Sequence, residues 1–328
     1  MATAWMIFGA GAALLVAAPG FAVTVPDLYE IAVPVGTSKD TAFSDALKAV
    51  VVRVSGRRDA AAQLKPGALS NPRQFAQRFG VSSDNLLQVG FDSVAVDRLL
   101  TDAGLSVWGR ERPQTLVLLS VETPDGASYS VDNNGSAADR DAVVKVAKLR
   151  GLPIVWPDMD SQDRSQVAVG STAALLQVAA RYNANAALVG KARRDSSGGM
   201  SVRWTLASEE GTSEGNGTIE DGVHLAADTF ARVYSASGSS LDSVALEISG
   251  IGNLGIYASA LNYLEAMTVV RTVSLEQVAG DTMRFRLGVR GDAAMLRRAL
   301  ALDGKLVPIA PADSASPPAD RLQFRYQP

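Results

Sequence analysis

Along most of this chain two apolar periodicities alternate, one of short runs suited to strands and one recurring at three and four residues, suited to helices. Tyr29 to Val35 predicts a strand ending at the Gly36 turn. Thr37 or Ser38 can then cap a helix with its stripe on Phe43, Ala46, Leu47, Val50 and Val54. Asn71-Pro72 predicts a short helix around Phe75 and Phe79, and Leu86 to Phe91 a strand. Val96, Leu99, Leu100 and Ala103 form a helical stripe stopped by Gly104, followed by a strand from Leu105 to Trp108 and the break at Arg112-Pro113. These elements make a first module, residues 23–112.

The second module spans 113–236. Thr115 to Val121 is continuously apolar, as expected of a strand covered on both faces. Pro124 to Ala138 is polar and reads as a loop. A helix around Ala142 to Leu149 and a strand from Pro153 to Trp156 follow. Next come a helix on Leu175, Val178, Ala179 and Tyr182, and a buried strand from Ala186 to Val189. Val202, Trp204 and Leu206 alternate, predicting a half-exposed antiparallel edge strand. A polar hairpin from Ser208 to Asn216 leads to a helix through Ala226, Ala227, Phe230 and Val233.

Ser235 to Ser240 has linker composition. The third module, 241–309, reads βαββα: strand Val244 to Ile248, helix Leu254 to Met267, strands Val269 to Val278 and Met283 to Val289 around Gly280-Asp281, helix Ala293 to Leu302. Residues 310–328, rich in Pro, Ala and Ser over Pro311 to Asp320, predict a disordered tail. The fold class is therefore α/β (α+β), three small mixed-sheet modules with helices on the sheets.

Composition narrows the function. The 328 residues carry 47% hydrophobic and 20% charged side chains, and the net charge of −3 lacks the basic footprint of a nucleic-acid binder. The absence of Cys removes disulfides, thiolate metal sites, cysteine nucleophiles and a lipid-anchor cysteine, and one histidine restricts general-base chemistry. Trp5 to Ala18 is apolar, and Pro19-Gly20 breaks it before small residues ending at Ala22. Residues 1–22 are thus expected to be a signal peptide exporting the chain to the periplasm, or an uncleaved anchor, because no Lys or Arg precedes the apolar core.

Several motifs imitate catalytic sites. Gly250-Ile251-Gly252-Asn253-Leu254-Gly255 fits GxGxxG, and Glu276 lies at dinucleotide-site spacing. Glu247 and Ser249 alternating with Leu246 and Ile248 demand a wet face, however, and the strand bearing Glu276 turns back at Gly280. Gly211-Thr212-Ser213-Glu214-Gly215 matches GxSxG, with Asp221 and His224 after it in hydrolase order. Those residues fall on one local segment, which cannot assemble a triad. Asp158, Asp160 and Asp163 lack the glycine and glutamate of a calcium loop and read as a capping cluster. Gly190-Lys191 lacks the first glycine of a phosphate loop, and Asn134-Gly135-Ser136 and Asn216-Gly217-Thr218 are sequons only in a eukaryotic secretory setting.

A set of segments resembles a family of exported bacterial proteins known as a domain of unknown function. It comprises Val52-Arg53-Val54-Ser55-Gly56, Arg58-Asp59, Phe91-Asp92, Ala103-Gly104-Leu105, Val107-Trp108-Gly109, Arg112-Pro113-Gln114, Arg150-Gly151-Leu152-Pro153, Pro157-Asp158-Met159-Asp160, Ala180-Arg181-Tyr182 and Ala187-Leu188-Val189-Gly190. The resemblance implies periplasmic residence and supplies no catalytic residue. The middle module is similar to the amino-terminal α/β domain of the Tol-system propeller protein and of peptidoglycan-synthase-regulating lipoproteins. The similarity lies in Ala187 to Gly190, Val202 to Leu206 and Leu225-Ala226-Ala227-Asp228. It implies binding to other envelope proteins. The expectation is a non-enzymatic envelope adaptor without cofactor or metal, contacting its partner through Trp108, Arg110 and Arg112, with Trp156 and Tyr182 read as core. The alternatives are a small-ligand binder using the cleft between the first two modules and a hydrolase acting through Ser213.

Overall fold

The computed structural model describes residues 22–36, 38–65, 67–132, 137–236, 241–302, 304–309 and 321–327. The expected signal peptide up to residue 21, the Asn134 sequon, the linker residues 237–240 and the Pro/Ala/Ser stretch 310–320 lie outside the described residues. No described helix is long and apolar enough to cross a membrane.

The first module contains β1 (Ala22–Thr24), β2 (Glu30–Pro34), α1 (Lys39–Ser55), α2 (Ala60–Gln63), β3 (Ala76–Val81), β4 (Leu86–Phe91), α3 (Ser93–Asp102), β5 (Val107–Trp108) and β6 (Glu111–Pro113). Ser38 caps α1 by accepting from the Thr41 amide, and the stripe Phe43, Ala46, Leu47, Val50, Val54 is buried. That stripe packs on Leu87 and Val89 of an antiparallel sheet in the order β2-β4-β3. The helix expected around Phe75 and Phe79 is corrected. Pro72–Phe75 makes a single 3₁₀ turn, and Phe79 lies in edge strand β3, 63% exposed, edge-on to Phe43. Proline at the first helical position starts a turn, but Gly80 disfavours helix and the pairing of β3 with β4 holds the chain extended beyond it.

The second module adds β7 (Thr115–Glu122), β8 (Ser128–Val131), α4 (Ala137–Arg150), β9 (Ile154–Val155), α5 (Ser161–Val169), α6 (Thr172–Arg181), β10 (Ala186–Arg194), β11 (Met200–Ser208), β12 (Gly211–Gly217), α7 (Asp221–Tyr234) and β13 (Ser235–Ala236). The sheet order is β12-β11-β10-β7-β8, with β9 pairing the start of β7 and β10 running parallel to β7. The continuous apolar run of β7 has the expected cause: Val117, Leu119 and Val121 face the core holding α4 and α7, and Leu116 and Leu118 face α6. Two expectations fail here. β11 is interior, because the polar Ser208–Asn216 hairpin contains β12, which pairs along it from Val202↔Gly217 to Ser208↔Gly211 and forms the edge. The expected loop 124–138 contains β8, paired with β7.

The third module comprises β14 (Leu241–Ser249), α8 (Leu254–Ala266), β15 (Val270–Ala279), β16 (Thr282–Arg290), α9 (Ala293–Ala301), β17 (Leu306–Pro308) and β18 (Arg321–Tyr326), with sheet order β15-β16-β14-β18-β17. β14-α8-β15 is a split β-α-β unit, since antiparallel β16 lies between its two strands. The tail expected from 310 onwards is corrected at its end. β18 pairs parallel with β14 and antiparallel with β17, burying Leu322 and Phe324 in the core.

Candidate functional site

The seam between the first two modules contains buried arginines. Arg112 of β6 is 0% exposed. Its five N–H groups all find carbonyls: Nε donates to Gly109 (2.9 Å), Nη1 to Arg150 (2.7 Å) and Gly151 (3.0 Å), Nη2 to Arg53 (2.8 Å) and Trp108 (3.0 Å). Three of these acceptors belong to the carboxyl-terminal ends of α1 and α4, where helical carbonyls lack intrahelical donors and carry partial negative charge. One guanidinium thus closes two helices at once. It also stacks 3.8 Å from the Trp108 ring. Arg53, buried in the last turn of α1, repeats the device with bonds to Leu149, Asp27 and Glu30 carbonyls. Burial pushes the pKa of Arg112 down, and the neighbouring charge of Arg53 adds to this. A guanidinium remains charged under such conditions because its starting basicity is so high.

Beside this clamp, a cleft of about 460 Å³ opens between α1 and α7. Ser55, Gly56, Arg57, Arg58, Asp59 and Ser106 line it from the first module, and Asp228, Ala231 and Arg232 from the second. Gly56 ends α1 in the left-handed conformation and turns the chain so that Arg57 and Arg58 leave the helix. Arg150, buried at the end of α4, holds two of the cleft residues from behind: Nη2 donates to Gly56 O (2.6 Å) and Asp228 Oδ1 (2.7 Å), and Nη1 faces His224 Nδ1 at 2.9 Å. Arg58 reaches the other Asp228 oxygen at 3.1 Å. Arg57 chelates Asp59, holding that carboxyl down at about 2. Arg232, exposed, bonds only to the Asp228 carbonyl and the Thr229 hydroxyl.

His224 is poised by this network. Burial lowers its pKa below the ordinary 6.5, and Arg150 and Arg58 lower it further against the opposing pull of Asp228 and Asp221. The folded state therefore keeps the ring neutral, with Nδ1 accepting from Arg150. As pH falls through the ordinary histidine range, the unfolded chain takes up the proton first, so this contribution to stability is complete above about 6.5 and lost below it. The melting temperature of the wild type is expected to fall more steeply than that of His224→Gln between about pH 7 and pH 5. Parallel slopes in differential scanning calorimetry would show that the ring is uncoupled from the seam.

The sequence-derived candidates land differently. Trp108 and Arg112, expected as exposed contacts, are instead wholly buried, with Arg112 bonded to main-chain carbonyls. Arg110 is half-buried, its guanidinium 5.6 Å from the centre of the Tyr29 ring. Trp156 is in the core, and Tyr182 donates to buried Asp163 at 2.6 Å. In the GxSxG segment, Ser213 sits on edge strand β12, Asp221 caps Thr218 through its amide and hydroxyl, and His224 is engaged by Arg150. Asp160 and Asp163 form the capping box of α5 and share Arg181. No group of three or more His, Asp or Glu able to hold a metal occurs among the described residues. Gly250 leads to a helix capped by Asn253, and that helix returns the chain to β15 beyond antiparallel β16 rather than to a strand beside β14, whose parallel neighbour is the late strand β18. Arg53, Arg58, Arg150, Asp228 and Arg232 were missed. The one local signal available was an arginine immediately before a helix-ending glycine, at Arg150-Gly151.

A family described as a domain of unknown function (DUF8605) matches residues 22–109, the stretch that forms the first module and one wall of the cleft. No curated protein matches the chain. Among solved structures, the LpoB C-terminal domain from Salmonella enterica is similar at 14% identity over 32% of this chain and 82% of that one, with a TM-score of 0.20. That likeness is too slight to speak for fold or function.

Proposed function

We propose that this chain is a non-enzymatic binding protein of the bacterial cell envelope, an adaptor that recognises its partner in the cleft between the first two modules. The observation carrying this reading is the contrast between two sets of arginines. Arg112 is saturated by main-chain carbonyls and can only hold structure. Arg58 and Arg232 stand exposed on a rigid frame where two modules meet. Pre-organised charge of this kind favours recognition, and the cleft brings no nucleophile together with a free base. Periplasmic residence rests on the expected leader and on the family resemblance.

A second reading is favoured by edge strand β3, where Phe79 (63% exposed) and Val81 (47%) form an apolar strip beside unpaired backbone groups. A photoreactive residue placed in living cells at Arg57, at Phe79 and, as control, at Asp195 in the β10–β11 turn separates the two. The cleft reading expects one identified envelope protein to cross-link at position 57 and to disappear with Arg58→Glu. Adducts at 79 alone would transfer recognition to β3, and labelling at 57 no stronger than at 195 would sink the cleft.

A further inference from the structure

We propose that the group the cleft accepts is a compact oxyanion of the phosphate class, held between Arg58 and Arg232. This inference rests on the cleft reading above and names its ligand chemistry. The first support is charge. The guanidinium groups of Arg57, Arg58 and Arg232 line the cleft with two carboxylates, Asp59 and Asp228, and the buried guanidinium of Arg150 pairs with Asp228 from behind. Asp221 is near enough to interact with Arg58, but it lies outside the lining and is bonded to Thr218. His224 is held neutral and contributes no compensating charge of either sign.

The second support is donor geometry. Arginine presents N–H pairs in a planar fork that matches the oxygens of a phosphate or carboxylate. Arg57 has already committed its fork to Asp59, whereas Arg232 touches only two neutral oxygens at 3.3 and 3.4 Å. Ser106 adds a hydroxyl to the same wall. Behind them the buried Nε of Arg150 has no acceptor, while Nη2 binds the cleft residues Gly56 and Asp228 and Nη1 binds His224. The third support concerns what does not repel an anion. The carboxyl-terminal end of α1 points towards this region, and its carbonyls at Arg53 and Gly56 are covered by Arg112 and Arg150. The negative end of the helix dipole is therefore neutralised before a ligand arrives. Arg58 already spends one Nη on Asp228 at 3.1 Å, so a singly charged carboxylate would satisfy the fork of Arg232, and a phosphate can also engage the remaining N–H groups of Arg58.

The test is titration of the full chain with inorganic phosphate, with acetate, and with phosphatidylcholine vesicles with or without phosphatidic acid, followed by calorimetry and amide chemical shifts. Saturable one-to-one binding of inorganic phosphate that moves the Gly56, Arg58 and Ala231 signals supports a free phosphate group. Binding confined to the phosphatidic acid vesicles supports the same chemistry on a lipid. In either case acetate should bind at least about tenfold more weakly. Arg232→Gln, on an exposed side chain that folding does not require, should weaken binding about tenfold or more, and Arg57→Gln by less than about twofold. Equal losses in the two variants, or no binding to either phosphate form, would overturn the proposal. If cross-linking at position 57 succeeds while phosphate fails, the cleft stands and only its ligand class is wrong. If both fail, neither survives.

Discussion

Replacing Arg112 by methionine is expected to destabilise the fold by about 4 kcal/mol or more, a large part of what a chain of this kind has to lose. Two effects oppose each other. Removing the guanidinium relieves the cost of keeping a charge out of water, which is several kcal/mol. It also leaves five carbonyls without their donor, each costing about 1–3 kcal/mol if water cannot reach it. The second effect is larger because three of those carbonyls are fixed by the ends of α1 and α4 and cannot turn away. Arg112→Lys should recover only part of the loss, since an ammonium has three donors and no planar fork. Urea unfolding of the two variants gives the measurement. A methionine variant within about 1 kcal/mol of wild type would mean that the two helix ends are held by something else.

Gly56→Ala is expected to cost about 2–5 kcal/mol and to loosen the first seam specifically. The residue has a φ of +70°, and a Cβ there would stand 2.2 Å from the Ala231 Cβ and 3.1 Å from the Trp108 ring. The left-handed backbone accounts for about 1–2 kcal/mol, and pushing α7 away for about 1–3 more. Gly36→Ala provides the control. It has the same handedness, φ +59°, and nothing within 4 Å of the added methyl, so only the backbone cost applies. Hydrogen exchange at the α1 and α7 amides should rise more in the Gly56 variant than in the Gly36 one. Equal losses for both would show that α7 yields without resistance.

What could be read from the sequence were the elements whose cause is local. The stripe of α1, the run of β7 and the turn at Gly280 are each dictated by residues within a few positions, and each lies where the periodicity puts it. β12 was hidden because Gly-Thr-Ser-Glu-Gly-Asn-Gly has the composition of a loop; its strand form comes from pairing with β11, which no property of the segment announces. β18 carries a legible alternation in Leu322, Phe324 and Tyr326, masked by the Pro/Ala/Ser stretch before it. The site was less legible still. The acceptors around Arg112 belong to residues 53, 108, 109, 150 and 151, which converge only after two modules have packed. Sequence offers no way to distinguish such an arginine from a surface one, and Arg112 was accordingly expected outside. The cleft residues Asp228 and Arg232 lay on the polar side of the α7 pattern, where an ordinary solvated face was the natural expectation.

The position of β18 has a bearing on how the third sheet is assembled. Glu247 on β14 and Gln323 on β18 touch across a separation of 76 residues, and β14 lies in the interior of the sheet only because β18 covers its flank. Until that late segment arrives, a partly assembled module presents the apolar row Leu246 and Ile248 next to an open row of amides and carbonyls, the kind of surface on which neighbouring chains stick together. Long-range closure of this sort is slow. A holding chaperone that shields β14 during this wait would therefore raise the yield of native molecules without altering their final stability.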